Sequence, residues 1–195
     1  MQDIVKRRAT YADLEAVPPH LVAEILFGDL VTHPRPHGRH SRAAARIMGA
    51  LGGPFDQGIG GPGGWDFYYE PELHLGAHVV VPDIAAWRSG RVTVNVDDPY
   101  FVAISPDWVC EVLSPSTEKY DRVDKRQIYA DFGVPYYWLI DPRTDVLEVF
   151  ALRGGQWFLL GSFAGDVDFV ATPFDACPFR LSQFLPAIAE PKRDA

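Results

Sequence analysis

Apolar and polar positions in the first third of the chain predict a short helix, a hairpin and a second helix. Thr10 is a suitable cap for the first helix. Residues 21–31 predict two strands joined at Gly28, because glycine accepts the positive φ that a tight turn requires. Residues 40–51 carry apolar side chains at helical spacing. The glycine-rich stretch 52–64 lacks a phosphate-binding Lys-Ser/Thr motif and predicts a flexible loop.

The middle of the chain gives the clearest prediction. Residues 108–113 are rich in β-branched and aromatic side chains and predict a strand. Thr117 then caps a helix of about 15 residues that ends at Gly133, and another apolar strand follows at 136–140. A strand–helix–strand unit of this length is typical of a right-handed parallel crossover. Further strands are predicted at 65–69, 73–75, 79–81, 84–87, 146–152, 157–162 and 167–171, an extended piece at 92–96, and a last helix at 181–188.

Length and composition favour one folded α/β domain. The chain has 195 residues, which suits a single domain of about 100–200 residues. Hydrophobic residues make up 47% and charged residues 23%, so a folded chain is expected. We therefore predict one domain over residues 1–195, with a core at about 10–150 and an extension of strands and a helix at 151–195.

The cysteines and the N-terminal segment exclude several classes of protein. Cys110 and Cys177 form no CxxC pattern, which argues against a zinc knuckle and against a secreted disulfide framework. Cys110 falls in an apolar run and is expected to be a buried thiol. The first 17 residues lack the apolar stretch of a signal peptide, and no segment approaches the ~20 apolar residues of a membrane span. A cytoplasmic protein is the resulting expectation.

Net charge weighs against a nucleic-acid-binding protein. The formal charge is −8, from 26 acidic and 18 basic residues. Proteins that bind nucleic acids usually present a basic face to the phosphates. A local basic surface is still compatible with this total, and a metal site needs acidic residues of its own.

Glu111 is a lone carboxylate in an otherwise apolar predicted strand. Strand alternation places it on one face with Val109 and Leu113. Because an unpaired buried glutamate is costly, the group needs either solvent or a cationic partner. The pattern fits a functional carboxylate in a cleft and, equally well, a simple buried ion pair.

Asp83 interrupts a second apolar run, residues 79–87, directly after Pro82. Proline lacks the N–H that a central strand needs, so it indicates a bulge or a junction between strands. An acidic group at such a junction can face a cleft, or it can simply cap a turn.

Lys125 is expected to lie over the sheet. Ile128, Tyr129 and Phe132 form the apolar stripe of the predicted helix, and Lys125 stands one turn before them. Asp121 precedes Lys125 by one further turn. The simpler alternative is an ion pair between residues i and i+4, which contributes roughly 0.2–0.5 kcal/mol.

Two carboxylates and a lysine that meet over a sheet are suited to phosphodiester hydrolysis. Mg²⁺ is held by one or two carboxylates, which leaves positions for water and phosphate. The metal lowers the pKa of its water and offsets the charge of the transition state. A nearby lysine orients that water or stabilises the developing negative charge.

The order of these residues resembles the Uma-two-type restriction endonucleases of the PD-(D/E)xK superfamily. The resemblance covers roughly residues 10–150, and the block 111–142 is specific. The residues that carry it are Glu24, Gly28, His40, Pro82-Asp83, Glu111-Val-Leu113, Asp121 to Lys125, Tyr129, Gly133 and Tyr137 to Pro142.

This resemblance implies a fold, a cofactor and a substrate. The fold is a central mixed β-sheet flanked by helices, the restriction-endonuclease-like core. The expected cofactor is Mg²⁺ or Mn²⁺, the expected substrate is DNA, and a homodimer is common. By matching position, Asp83 and Glu111 become metal ligands and catalytic residues, with Lys125 as the third catalytic residue. The supporting residues are Glu24, Asp121 and His40.

One position departs from the superfamily pattern. The usual lysine stands two residues after the glutamate, where this chain has Leu113. The resemblance implies that Lys125 of the following helix takes its place.

Three functions remain open at this stage. The first is a Mg²⁺-dependent endonuclease. The second is a nuclease-fold protein that no longer cleaves and serves as a binding or assembly module, which the charge of −8 and Leu113 favour. The third is a metal-dependent phosphoesterase for a small substrate. His37 and His40, near Arg35, Arg39 and Arg42, fit phosphate contacts or, more simply, a solvated loop and helix start.

Overall fold

The computed structural model describes residues 7–92 and 102–185 of the chain. The fold is a mixed α/β arrangement, as the sequence predicts. In chain order, the elements are α1 (Tyr11–Glu15), β1 (Leu21–Leu26), β2 (Asp29–Pro34), α2 (Arg39–Leu51), a π-helical turn (Gly52–Asp56), β3 (Trp65–Tyr69), β4 (Leu73–Leu75), β5 (His78–Val80), β6 (Ile84–Arg88), β7 (Trp108–Val112), a π-helical segment (Tyr120–Lys125), α3 (Arg126–Asp131), β8 (Tyr136–Asp141), β9 (Val146–Arg153), β10 (Gln156–Ala164), β11 (Asp168–Phe169), β12 (Phe179–Arg180) and α4 (Leu181–Phe184).

A six-stranded mixed sheet forms the centre, in the order β10-β9-β8-β7-β6-β3. Strands β7 and β8 pair in parallel, and the remaining neighbours pair antiparallel. The parallel pair confirms the predicted crossover, since the helical segment between the two strands returns the chain to the end of the sheet at which β7 begins. A second sheet, β2-β1-β5-β4, and the small pair β11-β12 complete the strands that the structure describes.

The two faces of β7 belong to two separate parts of the core. Cys110 and Val112 pack with α2 and with aromatic side chains of the C-terminal third. Val109 and Leu113 pack on the other side with Tyr129 of α3. This division follows from the two-residue repeat of a strand. Each buried aliphatic or aromatic side chain stabilises the fold by about 1.5–3 kcal/mol. Cys110 is the buried thiol that its apolar run predicts.

Three sequence predictions need correction. The stretch 52–64 begins with a π-helical turn instead of a flexible loop, and Phe55 within it is buried. Gly61 serves close packing there, because a Cβ atom would lie 2.6 Å from the carbonyl oxygen of Pro54. The predicted helix after Thr117 is α-helical only in part. The strand predicted at 167–171 is limited to Asp168–Phe169.

Other predictions lie partly outside the described residues. Of the extended piece at 92–96, only Val92 is described, and of the helix at 181–188 only residues 181–185. Within the described ranges, no helix has the length and apolar character needed to span a bilayer.

Candidate active site

The break between β5 and β6 brings Asp83 beside Glu111. Strand β6 pairs with β7 in the register Ile84 to Cys110, so the next position of each strand is Asp83 and Glu111. Two backbone N–H groups hold the two side chains together through hydrogen bonds. The N–H of Asp83 donates to Oε2 of Glu111 at 3.2 Å, and the N–H of Val112 donates to Oδ2 of Asp83 at 2.7 Å. Pro82 marks the strand junction that the sequence predicts.

Lys125 reaches this pair from the helix that covers the sheet. Its side chain is buried, as predicted. Its Nζ lies 3.0 Å from Oε1 of Glu24, 3.3 Å from Oε1 of Glu111 and 3.4 Å from Oδ1 of Asp121. It also donates to the carbonyl oxygen of Val81 at 3.2 Å. Glu24, Asp83, Glu111, Asp121 and Lys125 are named the carboxylate–lysine cluster below.

The helix is π-helical where Asp121 and Lys125 lie. Hydrogen bonding from residue i to i+5 widens each turn, so residues four apart are closer to one line than in an α-helix. The widened turn therefore helps both side chains to face the sheet. Isolated π-helical turns within α-helices are frequent at functional sites.

Glu24 joins the cluster from β1, far from the other members in sequence. Its Oε1 accepts a hydrogen bond from the N–H of Val81 at 2.7 Å, in addition to its contact with Lys125. Burial tends to raise the pKa of Glu24, but Lys125, together with the contacts made by His33 and by the N–H of Val81, holds that pKa below its usual value. Glu24 is therefore charged in the fold and anchors the ammonium group.

The cluster holds four carboxyl groups and one lysine. Burial raises the pKa of Glu111 well above its ordinary value, although Lys125 opposes this, and neighbouring carboxylates add to the rise. Burial likewise raises the pKa of Asp121 to about 6. The pKa of Lys125 is raised despite burial, because Glu111, Glu24 and Asp121 surround it. Lys125 thus stays protonated near neutral pH, and the site retains an excess of negative charge.

Replacing Asp121 by asparagine is expected to stabilise the metal-free protein above pH 6. A carboxyl group whose pKa rises on folding costs stability as the pH rises from its unfolded to its folded pKa. The gain is therefore absent below pH 4 and reaches on the order of 1–3 kcal/mol above pH 6. Thermal unfolding of both proteins in EDTA between pH 4 and pH 8 measures this. An equal difference in stability at both ends of the range would contradict the assignment.

His40 also faces the cluster, at the start of α2. Its Nε2 lies 3.2 Å from Oδ2 of Asp83. Burial alone would lower the pKa of His40. The hydrogen bond and the negative charge of Asp83 act in the opposite direction, and the net shift is upward. The simpler interpretation, a solvated helix start, is wrong for this residue because it is 8% exposed. Arg39 and Arg42 are exposed, as that interpretation expects.

A cavity of about 260 Å³ opens onto these groups. The cavity is bordered by four members of the cluster, by the β2–α2 loop and by the turn after β7. Its lining consists of His33, Pro34, Arg35, Pro36, His37, His40, Val81, Asp83, Glu111, Ser114, Ser116, Thr117, Asp121 and Lys125. Over residues 7–92 and 102–185, no three His, Cys, Asp or Glu side chains form a ready-made metal cage.

Two residues near the cluster are missing from the sequence-based prediction. The sequence predicts no contact of Tyr129 with the site, only its place in the apolar stripe and in the family pattern, yet its hydroxyl donates to Oε1 of Glu111 at 2.7 Å. A tyrosine one turn after a buried lysine was the available signal. His33 lies on β2 with its Nε2 3.5 Å from Oε2 of Glu24. Only the pairing of β1 with β2 reveals that proximity.

The sequence matches the pattern of a known protein family. The Uma2 family, described as "Putative restriction endonuclease", matches residues 8–173. This chain belongs to the Uma2 family. The match includes every member of the carboxylate–lysine cluster and His40. No curated protein shows significant sequence similarity to the chain.

A solved structure shares the fold of this Uma2 family member. It is described as a "putative nuclease belonging to DUF820" from Anabaena variabilis ATCC 29413. The sequences are 20% identical, the TM-score is 0.72, and the alignment covers 90% of this chain and 97% of the other. The nuclease-like fold and the restriction-endonuclease-like core expected from the sequence are thereby confirmed.

Leu113 stands where the wider superfamily pattern has its lysine. The residue is 1% exposed and packs in the part of the core that contains Val109 and Tyr129. It shares the strand face of Glu111, and Lys125 brings an ammonium group to that carboxylate from the neighbouring helix. An ammonium group therefore lies beside Glu111 although the strand itself carries a leucine at position 113.

Proposed function

We propose that this Uma2 family member is a metal-dependent endonuclease that hydrolyses phosphodiester bonds of DNA, with Mg²⁺ or Mn²⁺ as cofactor. One observation carries the proposal. Asp83 and Glu111 are fastened side by side, with the ammonium group of Lys125 3.3 Å from Glu111, and all three line one open cavity. Family membership supports nuclease chemistry, and the divalent metal and the DNA substrate are part of this proposal.

The donor set fits a hard divalent cation. Mg²⁺ uses one or two protein carboxylates and keeps several waters, so a complete protein cage is unnecessary. Asp83 and Glu111 supply oxygen ligands of that kind. Burial raises the pKa values of Glu111 and Asp121, and neighbouring carboxylates add to the rise; a divalent cation would offset the negative charge of these groups.

Each protein group has a defined task in this proposal. The bound metal would lower the pKa of a water and polarise the phosphate. Lys125, permanently charged, stabilises negative charge that develops on the phosphate, since it cannot act as a base at neutral pH. Glu24 and Asp121 hold the ammonium group in place. His40 orients the carboxylate of Asp83.

Tyr129 is proposed to orient Glu111 for metal binding. Removing its hydroxyl with Tyr129→Phe leaves the ring and its packing but frees Oε1 of Glu111 from a 2.7 Å hydrogen bond. We expect the dissociation constant for Mn²⁺ to rise about 10-fold, as is usual when the partner of a metal ligand is lost. Calorimetric titration with Mn²⁺ measures this. Unchanged affinity would show that the hydroxyl only satisfies the buried carboxylate.

The proposal is tested with supercoiled plasmid and a labelled linear duplex. The wild-type protein is incubated with Mg²⁺, Mn²⁺ or EDTA, beside Asp83→Asn and the exposed control Asp175→Asn. We expect metal-dependent cleavage by the wild type and the control, and none by Asp83→Asn. Metal binding without cleavage of DNA would favour a binding module, and cleavage restricted to bis(p-nitrophenyl) phosphate would favour a small-molecule phosphoesterase.

A further inference from the structure

Strand β2 and the three residues that follow it present basic side chains to the cavity. His33, Arg35 and His37 occupy alternate positions, and all three line the same cavity as Asp83 and Glu111. These three residues are named the β2 edge below.

A buried nitrogen of the β2 edge has no hydrogen-bond partner. The side chain of His33 is 10% exposed, and its Nε2 lies 3.5 Å from Glu24 without forming a hydrogen bond. In the described part of the chain, the other two such buried atoms are Nδ1 of His40 and Nε1 of Trp108. His33 and His40 both line the cavity, whereas Trp108 lies in the core. Both histidine nitrogens are fully buried, so the side chains of the β2 edge that a ligand in the cavity can reach are those of Arg35 and His37, which are exposed.

Arg35 sits at the rim and is available to such a ligand. Its side chain is 53% exposed, and its guanidinium group is only partly occupied, because Nε alone donates to the carbonyl oxygen of Pro19 at 3.1 Å. The nearest carboxylate, Glu70, is 3.5 Å from one terminal nitrogen, a long contact. Guanidinium groups bind phosphate through paired N–H donors, and imidazoles add further donors.

We propose that the β2 edge binds a phosphate of the substrate backbone next to the one that is cleaved. This inference rests on the proposed function and defines its substrate class. The substrate is a polynucleotide strand with at least two phosphates, not an isolated phosphodiester. The β2 edge also explains how a chain of net charge −8 holds nucleic acid, since the local basic group lies directly beside the acidic site.

Binding without cleavage isolates the β2 edge from the chemistry. In the Asp83→Asn background with EDTA, fluorescence anisotropy measures the affinity for a labelled 12-nucleotide DNA strand. The variant Arg35→Gln/His37→Gln is compared with Arg39→Gln/Arg42→Gln, whose arginines are exposed and do not line the cavity. We expect the first pair to weaken binding about 10-fold and to reduce the salt dependence by about one phosphate contact, and the second pair to change neither.

Cleavage assays then separate this inference from the proposed function. With the 12-nucleotide strand and Mn²⁺, the β2-edge variant should raise KM about 10-fold, whereas a dinucleotide with one phosphodiester should show no difference from the wild type. Equal binding by the two double variants would overturn the inference even if the protein cleaves DNA. Loss of binding at the β2 edge in a protein that cleaves no DNA would refute the proposed function and leave the β2 edge as a phosphate-binding site of a binding module.

Discussion

Replacing Lys125 by methionine is expected to lower the free energy of unfolding by about 3–5 kcal/mol and to reduce the cleavage rate about 10²–10³-fold. Lys125 is the cation within 3.0–3.4 Å of Glu24, Glu111 and Asp121, and its side chain is 3% exposed. Methionine keeps the aliphatic volume but leaves buried carboxylates without a counter-charge. Loss of the ammonium group also removes the stabiliser of developing phosphate charge, which is worth about 10²–10³-fold in rate.

The pH dependence separates this electrostatic effect from a loss of packing. Without Lys125, the buried carboxyl groups bind protons more tightly in the folded than in the unfolded chain, so stability falls as the pH rises. The deficit relative to the wild type should therefore be largest near pH 8 and smaller near pH 4. Thermal unfolding of Lys125→Met beside Lys119→Met, an exposed lysine of the same helical region, measures it. Equal effects of the two substitutions would contradict a buried ion cluster.

Replacing Glu111 by glutamine is expected to reduce cleavage about 10³-fold without lowering stability. Glutamine has nearly the same shape, and its amide oxygen can accept the hydrogen bond from Tyr129, while the weaker 3.2 Å hydrogen bond from the N–H of Asp83 is lost. It cannot supply the negative charge of a metal ligand. Because the pKa of Glu111 is raised on folding, its ionised form costs stability as the pH rises above the unfolded pKa. The neutral amide removes that cost, which offsets the lost hydrogen bond from Asp83, while Lys125 keeps Glu24 and Asp121 as partners.

This combination of lost activity and retained stability distinguishes a functional from a structural carboxylate. Initial cleavage rates and thermal unfolding in EDTA are measured for Glu111→Gln and for the exposed control Glu15→Gln. If Glu111 served only to neutralise Lys125, the glutamine variant would lose stability instead. Full activity of this variant would remove Glu111 from the proposed mechanism.

The sequence predicted the crossover and the members of the cluster because their signals are local or follow a motif. A lone glutamate in an apolar strand, an aspartate after a proline and a lysine one turn before an apolar stripe each indicate a group that needs a partner. The alternation of Val109, Glu111 and Leu113 is confirmed by the division of the core. Family resemblance then placed Glu24 with them.

Other features depend on contacts between distant parts of the chain. His33 meets Glu24 only because β2 pairs with β1. The hydroxyl of Tyr129 meets Glu111 because the helix packs on that face of β7. The π-helical segment at 120–125 could not be predicted from residue type, because packing against the sheet determines where such a widened turn forms. The net charge was similarly uninformative about the local arrangement of basic groups at the cavity.

The most direct test locates a metal ion in crystals of the wild-type protein soaked with Mn²⁺. We predict an anomalous difference peak within about 2–2.5 Å of carboxylate oxygens of both Asp83 and Glu111, and no such peak in Glu111→Gln. A peak bound elsewhere on the chain, or saturating Mn²⁺ with no peak at these two residues, would contradict the assignment of a metal-dependent nuclease site.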